Sequence, residues 1–364
     1  MSTDGPQQGC RRCLRRSWLL ARLGPALDRR CGDRARLFEL LELTDEELLQ
    51  ALAGRRRAEL VSAYARFTPA QAPHPPGTGS TCRHLRAGAG APALSSAVPA
   101  LYFTGGVERL KGLSQTPIVA ILGTPRASDY GIRAARSIAR GLAAAGIAVA
   151  AGVADAIAVA AHRGALELNA PTLAVLGGGL DLAPRPGRLA VCNHVRRHGC
   201  VVSELPGGCA PRRWSLAACE RIPVQLAALT VVVEAGERQH ELAAARLAQA
   251  LGRPLAAVPG RVSSPASQGT HALLIAGASL VRGAGDVLEL LGRTPSIGAL
   301  PGTAAGLPPR LRKTFERVAL GCDTPERLAQ SSVGEAGILL ALSELELLGA
   351  LGRGDGGRYV PHHE

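Results

Sequence analysis

Apolar and polar positions change rhythm near Pro117. From there to about residue 260, short unbroken apolar runs alternate with stretches of helical period: "PIVAIL", a helix over 129–145, "IAVAAG", a helix over 155–168, "PTLAVLGGG", a helix ending before Gly199, "CVVSEL", "LTVVVEA", a helix over 238–251 and "PLAAVPG". Strands written as continuous Val, Leu, Ile and Ala are covered on both faces, and a helix after each one predicts an α/β fold with a Rossmann-like, doubly wound parallel sheet. Ligands of such sheets sit beyond the carboxyl ends of the strands, which directs attention to the turns opening at Gly123, Gly152, Gly177 and Ala235.

The flanks follow other patterns. Residues 1–66 are predicted as an N-terminal helical module, in which Thr44 is placed as an N-cap and Glu47 completes a capping box. Residues 67–110, with "TPAQAPHPPGTGS" and "RAGAGAPALSSAVPA", are rich in Pro, Gly, Ala and Ser and read as a connector into a core over 111–292. A second linker covers 293–309. Residues 310–364 then predict three helices and a glycine-rich hairpin: Thr324 caps a short helix, a turn falls at 331–334, and "LLALSELELLGAL" leads into "GRGDGGRYV", which makes a winged helix.

Charge narrows the choice of partners. The 364 residues carry a formal charge of +13, and the excess lies in residues 1–292, because acidic and basic residues balance over 293–364. A polyanion should therefore meet the first two regions rather than the winged helix, whose expected recognition stretch around 331–342 holds no basic residue. No apolar run approaches the roughly 18 residues of a membrane span. Arg11, Arg12, Arg15 and Arg16 precede "SWLLARLGPAL", but Arg22 interrupts it and no small-residue cleavage site follows, so the expectation is an amphipathic helix of a cytoplasmic protein with no membrane partner.

The nine cysteines are scattered through apolar segments, as ordinary reduced thiols are. Cys10 and Cys13 form one CxxC with no second pair at suitable spacing. In "CNHVRRHGC", His194 and His198 share a helix face, but Cys192 points about 200° from His194 at 3.6 residues per turn, and Cys200 begins the next strand. No metal site is expected, and no cofactor. Enzyme chemistry is not expected either: there is no Walker lysine, paired catalytic carboxylates or nucleophile elbow, and "LGGGLD" and "LPGGCAP" contain only fragments of a nucleotide-binding loop.

One stretch carries a phosphate-type turn. In "VAILGTPRASDYG", Gly123 lets the backbone approach a ligand, Thr124 offers a hydroxyl, and Arg126 can form a bidentate phosphate contact beside the amides of a helix start. A strand-to-helix turn needs a glycine even without a ligand, so packing is the competing explanation.

The pieces "VAILGTPRASDYGIRAARSIARGLAAAGIAV", "AAHRGALE", "TLAVLGGGLD", "VVSELPGG", "VVVEAGER", "AVPGRVSSPASQGTHALLIAGASLV" and "LSELELLGAL…GGRYV" occur in the order in which they stand in DprA/Smf DNA-processing proteins. The chain resembles that family, chiefly over 117–292. The resemblance implies binding of single-stranded DNA, homodimerisation, and delivery of the strand to the RecA recombinase during natural transformation. It adds Arg163 of "AAHRGAL" and the basic run Arg212, Arg213 and Arg221 to the candidate DNA contacts, with Trp214 as a face for base stacking. The chain also departs from the family pattern: Pro125 removes a backbone donor, Asp155 stands at an arginine position where it suits a helix N-cap, and Glu241 stands where hydroxyls are usual. Two other readings stay open, a divergent paralogue that has lost DNA affinity and acts through protein contacts, and a nucleotide-binding enzyme on the same fold.

Overall fold

A computed structural model describes residues 9–82, 98–105, 107–184, 186–238, 242–293, 307–319, 321–329, 335–354 and 358–361. The amino-terminal part consists of α1 (Arg11–Arg22), α2 (Gly24–Asp28), α3 (Arg34–Glu42), α4 (Asp45–Leu52) and α5 (Arg57–Ala65). The capping box forms as its spacing predicts: Thr44 Oγ1 accepts from Glu47 N at 3.3 Å and Glu47 Oε2 accepts from Thr44 N at 2.8 Å. Along α1, Leu14, Trp18, Leu19 and Leu20 are buried while Arg11 and Arg12 face outward. The apolar stripe of α1 packs into one core with Phe67, Tyr102, Leu176, Val201 and Trp214, so these helices cover part of a sheet face.

The stretch expected as a connector contains β1 (Thr78–Cys82) and β2 (Ala100–Thr104), followed by α6 (Val107–Ser114). These strands pair antiparallel, and β2 joins the main sheet antiparallel to a later strand. "ALYFT" is entirely apolar up to Thr104 and "TGSTC" is small and polar, so neither shows the alternation that marks a strand; cross-strand pairing supplies what local propensity withholds.

The core then alternates as the pattern predicts: β3 (Ile118–Gly123), α7 (Asp129–Ala144), β4 (Ala148–Gly152), α8 (Ala156–Leu166), β5 (Thr172–Leu176), α9 (Pro186–His198), β6 (Cys200–Ser203), α10 (Arg213–Ala218), α11 (Arg221–Leu226), β7 (Leu229–Glu234), α12 (Ala243–Ala250), β8 (Leu255–Ala257), α13 (Gln268–Ile275), β9 (Ser279–Leu280) and α14 (Ala284–Leu290). The strand order is β1-β2-β6-β5-β4-β3-β7-β8-β9, parallel from β6 through β9. The chain winds outward from β3 to β6 on one side and from β7 to β9 on the other, so the switch point lies between β3 and β7. Every residue of β4, β5, β6 and β7 is buried, which accounts for their predominantly apolar sequences.

The chain closes with α15 (Pro309–Ala319), α16 (Pro325–Ala329), α17 (Glu335–Leu347) and a hairpin of β10 (Leu351–Gly354) with β11 (Arg358–Pro361). Leu311, Phe315, Val318, Leu342, Leu345 and Tyr359 form its core. The turn expected at 331–334 lies outside the described residues. A buried ion pair attaches this unit to α7: Arg140 Nη2 bonds Asp323 Oδ2 at 3.1 Å, while Arg140 Nη1 lies 3.5 Å from Glu167 Oε2 at the end of α8.

Candidate nucleic-acid interface

The turn after β3 is shaped first by packing. A Cβ on Gly123 would lie 2.4 Å from Ile157 Cγ1, so only glycine lets α8 come this close to the strand end. Thr124 is buried, and its Oγ1 accepts from the Arg126 backbone at 3.3 Å. The Arg126 side chain is exposed and makes no ion pair among the described residues.

At the switch point the sheet supplies its own anion. Glu234, at the end of β7 and only 2% exposed, accepts from Ser128 N at 2.8 Å and from Ser128 Oγ at 2.5 Å. Ser128 is the N-cap of α7, its Oγ in turn accepting from Gly131 N at 3.2 Å. A Cβ on Gly131 would lie 2.3 Å from Glu234 Oε2, so the carboxylate fills the space against the first turn of the helix. The amide end of α7, which a phosphate would otherwise favour, is thus neutralised from within.

The same solution recurs at α8. Asp155 is its N-cap and accepts from Ala158 N at 2.8 Å. Burial pushes the Asp155 carboxyl above its ordinary range, opposed by the amide bond from Ala158 and by the nearby Arg188 and Arg34 guanidinium groups. The arginine position of the family pattern has become a helix cap. Glu241, the third acidic replacement, lies outside the described residues.

Beyond the carboxyl ends of β3 and β4 opens a cleft of about 370 Å³, lined by Arg34, Pro125, Asp155, Arg213, Leu216 and Glu220 among others. Arg34 is spent on Glu220, at 2.5 Å. Arg213 is exposed and makes no ion pair among the described residues. Of the Gly123–Arg126 turn, Pro125 shares this cleft with Arg213.

Three expected contacts are not brought there. Arg221 is 1% exposed and forms a two-pronged buried pair with Glu204, Nη1 to Oε1 at 2.8 Å and Nη2 to Oε2 at 2.5 Å, so it is a structural cation closed to phosphate. Arg212 turns toward the amino-terminal helices and bonds Asp28 Oδ2 at 2.7 Å. Arg163 is exposed, but it stands in the last turn of α8, about 10 Å along the helix from its start at 1.5 Å per residue, toward the opposite edge of the sheet. Trp214 is fully buried, which removes it as a stacking face, and its backbone N donates to Asp28 Oδ1 at 3.0 Å. His162 is buried as a local bridge: its ring nitrogens meet Gly152 O at 3.0 Å and Thr172 Oγ1 at 2.9 Å, and burial pulls it down to about 4.

Sequence reasoning missed Arg34 and Glu234 as site residues. Arg34 carries no signal, because it comes from α3, far away in the chain. Glu234 does carry one, an acid at the end of an all-apolar strand beside the switch point, where a buried charge needs a partner. The "CNHVRRHGC" residues form no ligand cluster: Cys192 is buried, and Cys200 Sγ donates to Thr104 O at 3.2 Å. Among the described residues, no helix is long and apolar enough to cross a membrane.

Residues 90–292 match the family described as DNA recombination-mediator protein A. A Mycobacterium tuberculosis relative that carries the DprA name is 43% identical over 183 residues, 50% of this chain and 46% of its own length. Protein Smf of Escherichia coli is 35% identical over 174 residues, 48% of this chain and 46% of its own. The chain thus spans about half the length of these curated relatives. Among solved structures, that of DNA processing protein A from Streptococcus pneumoniae superposes with a TM-score of 0.57 at 26% identity, covering 68% of this chain and 86% of the other. With the switch-point topology, the ordered turn motifs and a match over more than half its residues in agreement, the chain belongs to the DNA recombination-mediator protein A family.

Proposed function

We propose that the protein is a DNA-processing protein that holds single-stranded DNA across the carboxyl edge of its sheet, using exposed guanidinium groups in place of helix-end amides. The observation that carries this reading is the pair Arg126 and Arg213: both are exposed, both make no ion pair among the described residues, and Arg213 lines a cleft at the strand ends that is also lined by Pro125, the residue before Arg126. Family membership and the charge of +13 support it. Contacts of this kind neutralise phosphates and read few bases, so affinity should be tolerant of sequence and steep in salt. In the same reading the protein works as a cytoplasmic homodimer and passes the strand to a RecA recombinase.

Fluorescence anisotropy with a poly-dT oligonucleotide across a salt series tests this. Arg126→Ala and Arg213→Ala should each weaken binding for all sequences alike and lower the salt slope by about 1. Arg221→Ala in a variant that still folds should leave the slope unchanged. Titrations unaffected by both Arg126→Ala and Arg213→Ala would overturn the proposed site.

A specific observation favours a second reading. Glu234 and Asp155 occupy the two helix starts where a phosphate would be held by backbone amides. A paralogue that retained the fold and lost the strand would look like this, and absence of binding at low salt would select it. Turnover of a nucleotide would instead select an enzyme.

A further inference from the structure

The fold brings a distant third cysteine to the CxxC of Cys10 and Cys13. Cys10 is the N-cap of α1, Cys13 lies in its first turn, and Cys82 ends β1; their sulfurs all lie within 4.8 Å of one another. The sequence shows a single CxxC without a second pair, and the third thiol arrives on a strand in the stretch that reads as a connector. We propose that Cys10, Cys13 and Cys82 form a thiolate site for one zinc ion, which pins the amino-terminal helix to the edge of the sheet.

Three features point to a metal rather than to packed thiols. The first is spacing. Sulfurs bound to one zinc at about 2.3 Å stand about 3.8 Å apart in a tetrahedron, so the cluster closes on an ion with shifts of about half an ångström per sulfur. Three sulfurs converging is the second, since a redox CxxC needs only two and a structural disulfide leaves the third without a task. The third is the surrounding hydrogen bonding: Cys10 N donates to Cys82 Sγ at 3.5 Å, the type of amide contact that steadies a metal-bound thiolate, and Gly9 N donates to Ser80 Oγ at 2.7 Å, locking the start of α1 over β1.

Proton balance fits this arrangement. Burial, with the two neighbouring thiols, pushes the Cys13 thiol up. As zinc enters, each sulfur forms a bond to the metal and releases its proton to solvent. Cys13 and Cys82 are buried and Cys10 is partly exposed, so the remaining corner of the tetrahedron faces the solvent side and takes water or a small anion. Cys31 and Cys209 are not within the cluster. This site is independent of the DNA reading, because it lies with β1 at the far edge of the sheet from the switch point.

The test uses the full chain, purified under reducing conditions and reconstituted with Zn²⁺. The expected result is one zinc per chain, released on denaturation into a chromogenic chelator, and lost in Cys13→Ser and Cys82→Ser but kept in Cys192→Ser. Replacement of zinc by Co²⁺ should give a thiolate-to-cobalt charge-transfer band in the near ultraviolet, and chelation should lower the melting temperature of the wild type. Zinc content in Cys13→Ser and Cys82→Ser equal to wild type would overturn the proposal. Should those variants not fold, the wild type decides alone: no bound zinc, or a Co²⁺ spectrum without the charge-transfer band, overturns it.

Discussion

Arg221 and Glu204 show how far a residue's role depends on what folds around it. In the sequence Arg221 is one of several arginines in a basic stretch; in the structure it is buried as the first residue of α11, bonded through two nitrogens to Glu204 and also donating to Ala218 O at 2.8 Å. Removing one partner leaves the other charge buried, so Arg221→Ala should lower unfolding free energy by about 3–5 kcal/mol in chemical denaturation. His162 carries a second test at this scale. Its ring is neutral in the fold, with Nε2–H donating to Gly152 O, and its value of about 4 lies below the ordinary range for histidine. The unfolded chain therefore binds the proton first as pH falls, and stability present above about pH 6.5 should be lost progressively toward pH 4. The full span is worth on the order of 3 kcal/mol. Asp155, raised instead of lowered, works in the opposite direction over part of that range, so the contribution of His162 is read as the difference between wild type and His162→Gln melts across pH.

Helix starts are the elements on which function turns. In a doubly wound sheet they all face one edge, and their unpaired amides attract an anion. Here α7 takes Glu234 and Ser128, and α8 takes Asp155. Asp155→Ala should cost about 1 kcal/mol of stability through the lost cap, while Asp155→Asn, which also caps well, should cost little. The Asn variant also removes a negative charge from the cleft beside Arg213, so it should tighten binding of a dT oligonucleotide at low salt. Unchanged stability in Asp155→Ala would show that the hydrogen bond to Ala158 carries no weight.

At the scale of the whole molecule, the question is how the parts hold one another. The amino-terminal helices share a core with the sheet through Trp18, Phe67, Tyr102 and Trp214. The carboxyl-terminal unit is fastened to α7 by Arg140 and Asp323, with Ser137 Oγ donating to Gly321 O at 3.1 Å. Arg140 and Asp323 side chains are each 3% exposed, so Arg140→Ala should destabilise the protein by about 3 kcal/mol, read by denaturant melts monitored at both the core and the carboxyl-terminal unit. A shift confined to the carboxyl-terminal signal would mean that the two unfold separately.

The alternation of β3 through β8 with their helices was legible because parallel strands buried on both faces must be apolar throughout, and that constraint is local. The Thr44 capping box and the role of Asp155 as a cap were legible for the same reason, since donor and acceptor lie three residues apart. Strands β1 and β2 were hidden, because "TGSTC" gains its place from pairing with residues some twenty positions away. The tertiary structure alone decided which arginines face solvent: Arg126 and Arg213 do, Arg221 is enclosed by Glu204, and Arg212 is drawn off by Asp28. It alone brought Cys82 to Cys10 and Cys13. A charge or a thiol has no fixed meaning along the chain, since its availability is set by desolvation and by partners that only folding brings near.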